Sequence, residues 1–242
     1  FVLFVILEHS SNAYRKLIWW PVADKDTSIL AGWVAALSDA FAMPLLFYIA
    51  GYFAILTIKK RTTSSFFKGK LKRLGIPWSL CILTVCPVLP LIYHLTRDGL
   101  SLSMSYWDLW IILLKNAAEL NVRLIVSMNE LMVNNQFYQR YMWFLSLLLL
   151  FFFVFGILYS LKKRWFHRCD QPVVSESPSV LSTVKFLLGV GFLTAICSFL
   201  MIGTILMFGP KSSNPEPLFT LGNIIQFRPS RLFLFIIYFG MG

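Results

Sequence analysis

Glu8, His9 and Asp39 are ionisable residues set in or beside long apolar runs of a 242-residue chain, and His94 stands near the end of another such run. Groups of this kind are costly in hydrocarbon, face a bundle interior or an aqueous cavity, and are functional candidates by default. His9 lies a few residues before its run ends near Arg15, and Asp39 a few residues after the chain turns back near Trp33. The two are therefore expected at similar heights. A carboxylate hydrogen-bonded to an imidazole fixes its tautomer and favours its protonated form, the arrangement by which a general base accepts a proton and hands it on. A second reading stays open, in which His9 bonds a neighbouring backbone and Asp39 caps the second helix. Glu8 projects about 100° away from His9 on a helix. Snorkelling, protonation or a partner on another helix would each accommodate it.

The elements that must position these groups are membrane helices. The chain is 57% hydrophobic and 17% aromatic, with 14% charged residues, against about 25% charged in soluble proteins. Residues 41–58, 74–96, 141–161 and 186–210 contain no Asp, Glu, Lys or Arg, and each approaches or exceeds the roughly 18–20 residues that span a hydrocarbon core. Shorter apolar runs stand at both ends of the sequence, FVLFVIL from Phe1 and LFLFIIYFGMG after Arg231. The expectation is one membrane-embedded unit over residues 1–242 with six crossings, the first and last incomplete. Backbone groups in lipid must be satisfied within each element, so the expected class is an all-α, polytopic helix bundle.

The net charge of +11 could suggest nucleic acid, but its distribution favours a bilayer as the partner. Seven Lys or Arg lie between Lys59 and Arg73 and five between Lys162 and Lys185, while ten spread over the other connections. By the positive-inside rule the dense segments are cytoplasmic, which puts Phe1 inside and leaves the other side as a periplasm, a cell exterior or an organelle lumen. Residues 15–38, 97–140 and 211–231 then face outward. Within 97–140, YWDLWIILLKNAAEL from Tyr106 carries two tryptophans, an apolar face, and Lys115 and Glu119 in an i,i+4 relation. This is the pattern of a helix lying in the interface, a floor or lid on the outer side. Residues 162–182 form an inner loop that includes the Pro/Ser-rich stretch CDQPVVSESPS. Cys81 and Cys86 point to different faces of a helix, and no disulfide is expected. His167 and Cys169 lack the further ligands of a zinc site, so no metal is expected.

Several stretches follow one another in a telling order: His9, then FAMPLLFYIAGYF from Phe41, FFKGKLKRLGIPW from Phe66, YMWFLSLLLLF from Tyr141 and QFRPSRLFLFIIYFGMG from Gln226. The succession resembles the acyltransferase 3 family of integral membrane acyltransferases. Members have a histidine late in the first helix, a second helix of the type Met-Pro-Leu-Phe-Phe-x-x-Ser-Gly-Phe, and an Arg-x-x-Arg followed by a proline that opens the third helix. The counterparts are His9, Met43 to Phe53, and Lys70 to Arg73 with Pro77; Trp143-Phe144-Leu145 matches a Trp-Phe-Leu helix start. Three departures stand out. Ala50-Gly51 replaces Ser-Gly, Tyr141-Met142 replaces a frequent His-Leu pair, and Lys70 replaces the first arginine, keeping the charge but losing bidentate phosphate geometry. The arginine that the family carries upstream of the histidine would fall before Phe1.

The resemblance implies transfer of an acyl group, commonly acetyl, from acyl-CoA at the cytoplasmic face to a hydroxyl of a carbohydrate or similar acceptor at the outer face. In that reading His9 is the base, oriented by Asp39, and Lys70, Lys72 and Arg73 meet the phosphates of the donor. Pro44 is expected to interrupt the second helix, and Gly51 to allow close backbone approach, so that this helix lines a passage for the pantetheine arm or serves packing alone. Two other classes remain open. A secondary transporter would also bury Asp and His and break a helix with Pro, although no second, repeat-related broken helix is visible. A non-catalytic membrane scaffold or sensor is the other.

Overall fold

The computed structural model describes residues 2–15, 20, 22, 24–96, 105–119, 121–125, 139, 142–161, 179–208, 218–222 and 224–242. Helix α1 (Val2–Ser11) tightens into a 3-10 turn, Asn12–Tyr14. The backbone then doubles back: Asp24 N–H donates to the Ala13 carbonyl at 3.0 Å and Ser28 N–H to the Tyr14 carbonyl at 3.1 Å. Helix α2 (Ile29–Lys59) starts immediately, its N-terminus capped by Ser28, whose Oγ accepts from the Ala31 N–H at 3.3 Å.

That start corrects two expectations. Residues 29–38 are helix rather than outward connection, and the capping role given to Asp39 belongs to Ser28. A third correction concerns Pro44, which lies inside α2 without ending it. Proline forfeits one backbone bond, but a membrane helix packed against neighbours tolerates the loss.

Helix α3 (Thr63–Lys70), capped by Thr62, continues through one π-helical segment, Leu71–Gly75, into α4 (Ile76–Leu95). Helix α5 (Tyr106–Ala118) is capped by Ser105, and α6 (Trp143–Leu161), α7 (Val180–Phe208) and α8 (Pro229–Met241) follow. Among the described residues three helical stretches are long and apolar enough to cross a membrane: Ala42–Lys59, Thr63–Leu95 and Trp143–Leu161. The protein is mostly helical, as a membrane bundle requires.

The all-α expectation gives way at three short strands, β1 (Val122–Ile125), β2 (Leu218–Leu221) and β3 (Ile225–Phe227), which form an antiparallel sheet in the order β1-β2-β3. Two segments distant in sequence thus pair with each other. Gly222, at φ 58°, supplies the left-handed residue that the β2–β3 turn needs.

Gln139, wholly buried, fastens this sheet to the helices. Its side-chain oxygen accepts from the Trp78 indole N–H at 3.0 Å, its amide nitrogen donates to the Ile224 carbonyl, and its backbone N–H donates to Gln226 Oε1 at 2.8 Å. Its carbonyl accepts from the Met142 N–H at 2.9 Å, at the start of α6. Helix α5 packs on the middle of α4: Trp110 Nε1 donates to the Leu83 carbonyl at 2.9 Å, and Ala117 packs against Ile82 and Cys86.

The core joins α2, α3, α6 and α8 through Phe47, Ala54, Ile58, Phe66, Leu147, Phe152 and Phe235, among others. Phe47 and Phe235 stack with centroids 4.5 Å apart. Lipid gives little drive for helices to associate, so close fit matters, and Gly51 provides it where a Cβ would strike the Phe239 carbonyl of α8.

Two outcomes follow for thermal unfolding in detergent. Gly51→Ala should destabilise by about 1–3 kcal/mol through overpacking, whereas Gly32→Ala, in open space on the same helix, should be neutral or stabilise by up to about 1 kcal/mol. Gln139→Ala should cost about 1–3 kcal/mol for each polar partner it strands, Trp78 Nε1 and the Ile224 carbonyl.

Candidate functional site

The end of α1 is polar and buried. Glu8 is 7% exposed, Ser11 and Asn12 are likewise buried, and His9 is half-buried between them, with its ring 5.7 Å from that of buried Trp20 at 34°. Glu8 therefore does not snorkel. Asn12 Oδ1 accepts from Arg15 Nη1 at 2.9 Å, which closes the outer side of the cluster. Packing of α1 against α2 brings these residues to the helix that carries Asp39.

The carboxylate of Asp39 lies outside the described residues, but its place on α2 is defined. From the joint at Tyr14 and Ser28, His9 lies five positions back along α1 and Asp39 eleven positions along α2. At 1.5 Å per residue this sets Asp39 roughly 9 Å further along the helix pair. Ser38, its neighbour, is wholly buried, and its hydroxyl has no hydrogen-bond partner among the described residues. His94 is buried near the end of α4, edge-on to Tyr93 with centroids 5.7 Å apart. Neither of its ring nitrogens has a hydrogen-bond partner among the described residues.

The three basic candidates separate. Lys72 and Arg73 are exposed, whereas Lys70 turns inward, its Nζ 3.7 Å from the centroid of the Phe152 ring and 5.4 Å from that of Phe66. The segment Thr63–Gly75 runs antiparallel to α6. Thr63 meets Ser160 at 3.1 Å, Phe67 fills the space beside Gly156, and a Cβ at Gly75 would reach Leu149. Lys70 therefore stands at the middle of the apolar helix α6, about 13 Å of helix rise from its C-terminal end. An ammonium recessed this far loses hydration, and the π-faces of Phe152 and Phe66 replace part of it. The π-helical segment begins at the next residue, a common accompaniment of functional sites.

Two chemical capacities result. The end of α1 can hold and move a proton, and the α3–α4 junction can attract an anion to exposed Lys72 and Arg73 and to the recessed Lys70. Sequence reasoning missed Trp20 and Phe152, whose rings lie beside His9 and Lys70. One tryptophan in WW and one phenylalanine in FFFVF carry no local mark that separates them from their neighbours.

A family model described as an acyltransferase domain, that of the acyltransferase 3 family, matches residues 1–242. No curated protein and no solved structure matches the chain.

The seat of Lys70 can be measured apart from any reaction. In a double-mutant cycle combining Lys70→Met with Phe152→Leu, unfolding in detergent should give a coupling of about 0.5–2 kcal/mol. Additive single effects would mean that the ammonium gains nothing from the ring.

Proposed function

Because the chain belongs to the acyltransferase 3 family, we propose that it moves an acyl group, acetyl in the first instance, from acyl-CoA on the cytoplasmic side of a cell inner or plasma membrane to a hydroxyl of a carbohydrate or similar acceptor on the outer side. The observation that carries this reading is the setting of His9: a half-buried imidazole at the end of an apolar helix, held against Trp20 among buried polar groups.

A hydroxyl is a weak nucleophile until a base takes its proton, and imidazole titrates in the range where that exchange is efficient. His9 takes the proton as the acceptor oxygen bonds to the acyl carbon. The thioester C–S bond breaks, and the proton leaves His9 for the departing thiolate or for water. Asp39, further along α2, is the acidic group on the helix packed against α1.

At the other end, Lys72 and Arg73 meet the donor's phosphates, and Lys70 offers a further cation toward the interior. The fit is one of charge, since an acidic, phosphorylated donor needs such a mouth. Gly51 does not line the passage for the pantetheine arm, because α8 closes that face of α2.

The test uses the full-length protein in sealed vesicles with labelled acetyl-CoA and glycan acceptors. His9→Ala should lower acyl transfer by about 100-fold or more, Asp39→Asn should lower it less, and Lys70→Met should act mainly on KM for the donor, with Lys70→Arg restoring it. Transfer retained in His9→Ala would remove His9 from the mechanism. Solute flux without acceptor modification would favour a transporter instead.

A further inference from the structure

The sheet has two faces of opposite character, arranged the wrong way round for water. Directly paired residues of antiparallel strands share a face. The registers Val122↔Leu221, Leu124↔Phe219, Phe219↔Phe227 and Leu221↔Ile225 therefore gather six apolar residues on one side. Arg123, Ile125, Leu218, Thr220 and Gln226 share the other. Thr220 and Gln226 are wholly buried, while Val122, Leu124 and Leu221 are 65%, 44% and 46% exposed. The rings of Phe219 and Phe227 lie 5.1 Å apart on the apolar side, where Phe227 also reaches the helix core. A one-residue slip of β3 would exchange its faces. The hydrogen bonds from Gln139 to Gln226 and to the Ile224 carbonyl hold the register as it is.

We propose that the apolar face of this sheet rests on the lipid bilayer, at the boundary between hydrocarbon and headgroups. Three observations select lipid over a protein partner. Gln139 ties the sheet to Trp78 and to the first residues of α6, both in helices long and apolar enough to cross a membrane. Helix α5, which leads into β1, exposes Trp107, Ile111 and Ile112 and carries Tyr106 beside Trp107, the residues favoured at an interface. No charged residue lies on the face itself, and the nearby pair Arg123–Glu119, at 2.9 Å, belongs to the other side and the connection before β1.

The depth follows from the edges. Among the described residues β1 and β3 each leave one row of backbone N–H and C=O groups outside the ladder. Such groups are not tolerated in hydrocarbon but are satisfied by headgroups and water. The sheet thus lies flat at the boundary, apolar face toward the acyl chains. The inference stands independently of the acyl-transfer reading, since it concerns where the outer segments sit rather than what reacts there.

The experiment places the photoreactive amino acid benzoylphenylalanine at Leu124 in the full-length chain, in bilayers of phosphatidylethanolamine and phosphatidylglycerol. Illumination is followed by mass analysis of the labelled peptide. A phospholipid-sized adduct is expected at Leu124 but not at exposed Asp26. Val122, the most exposed of the six, repeats the measurement where a changed side chain disturbs the fold least. A cross-link to a second copy of the chain or to another polypeptide, or no lipid adduct at either position, would overturn the proposal.

Discussion

One buried amide holds the three-stranded sheet to the helices. Gln139 spends its backbone N–H and carbonyl and both polar atoms of its side chain on partners in α4, α6 and the β2–β3 hairpin. In a low-dielectric interior such a network is rigid when complete and costly when broken, so its geometry constrains everything attached to it. The register of the sheet, the seat of Trp78 and the N–H of Met142, the residue before α6, are all held by this one residue. The apolar outer face of the sheet is a consequence. Once Gln226 is committed inward to Gln139, alternation along the strand turns Ile225 and Phe227 to the opposite side.

The ionisable groups follow the same rule of compensation. The polar end of α1 is buried together, with an aromatic ring on the imidazole and an asparagine that takes the arginine beyond. Lys70 is handled differently. Its charge is laid on two phenylalanine rings at the level of the centre of α6, which leaves the ammonium partly desolvated. The two sites belong to different parts of the fold, α1 with the start of α2 in one case and α3 with α6 in the other. A reaction that joins them needs a long, flexible donor arm.

Much of this was legible in the residues. Ser105 and the apolar periodicity after it mark α5 nearly to its limits, because capping and hydrophobic pattern are local signals. Residues 76–95 are likewise readable as helix α4, whereas α3, set in a basic stretch that reads as connection, and the π-helical turn after it are not. The strands were not legible: VRLI and IQF are too short to show alternation, and β1 exists only because residues nearly a hundred positions away pair with it. The early start of α2 was masked by the polar residues before Trp33, which read as connection until Ser28 is seen as a cap. Pro44 misled in the opposite direction, since a proline in a packed membrane helix costs a bond without ending the helix.

By itself the sequence determined that the chain is helical and lives in a membrane, because hydropathy and the need to satisfy each backbone group act within single segments. It also determined which chemical groups are available, and their order along the chain carries the family resemblance. Only the tertiary structure decided which way those groups turn. Lys70, Lys72 and Arg73 are adjacent in sequence and alike in charge, yet one is recessed on Phe152 and two are exposed. Gly51 offers a close approach that α8 alone takes up. Orientation depends on a helical twist set by the π turn and on partners brought together from distant segments, and neither is written in the local pattern of residues.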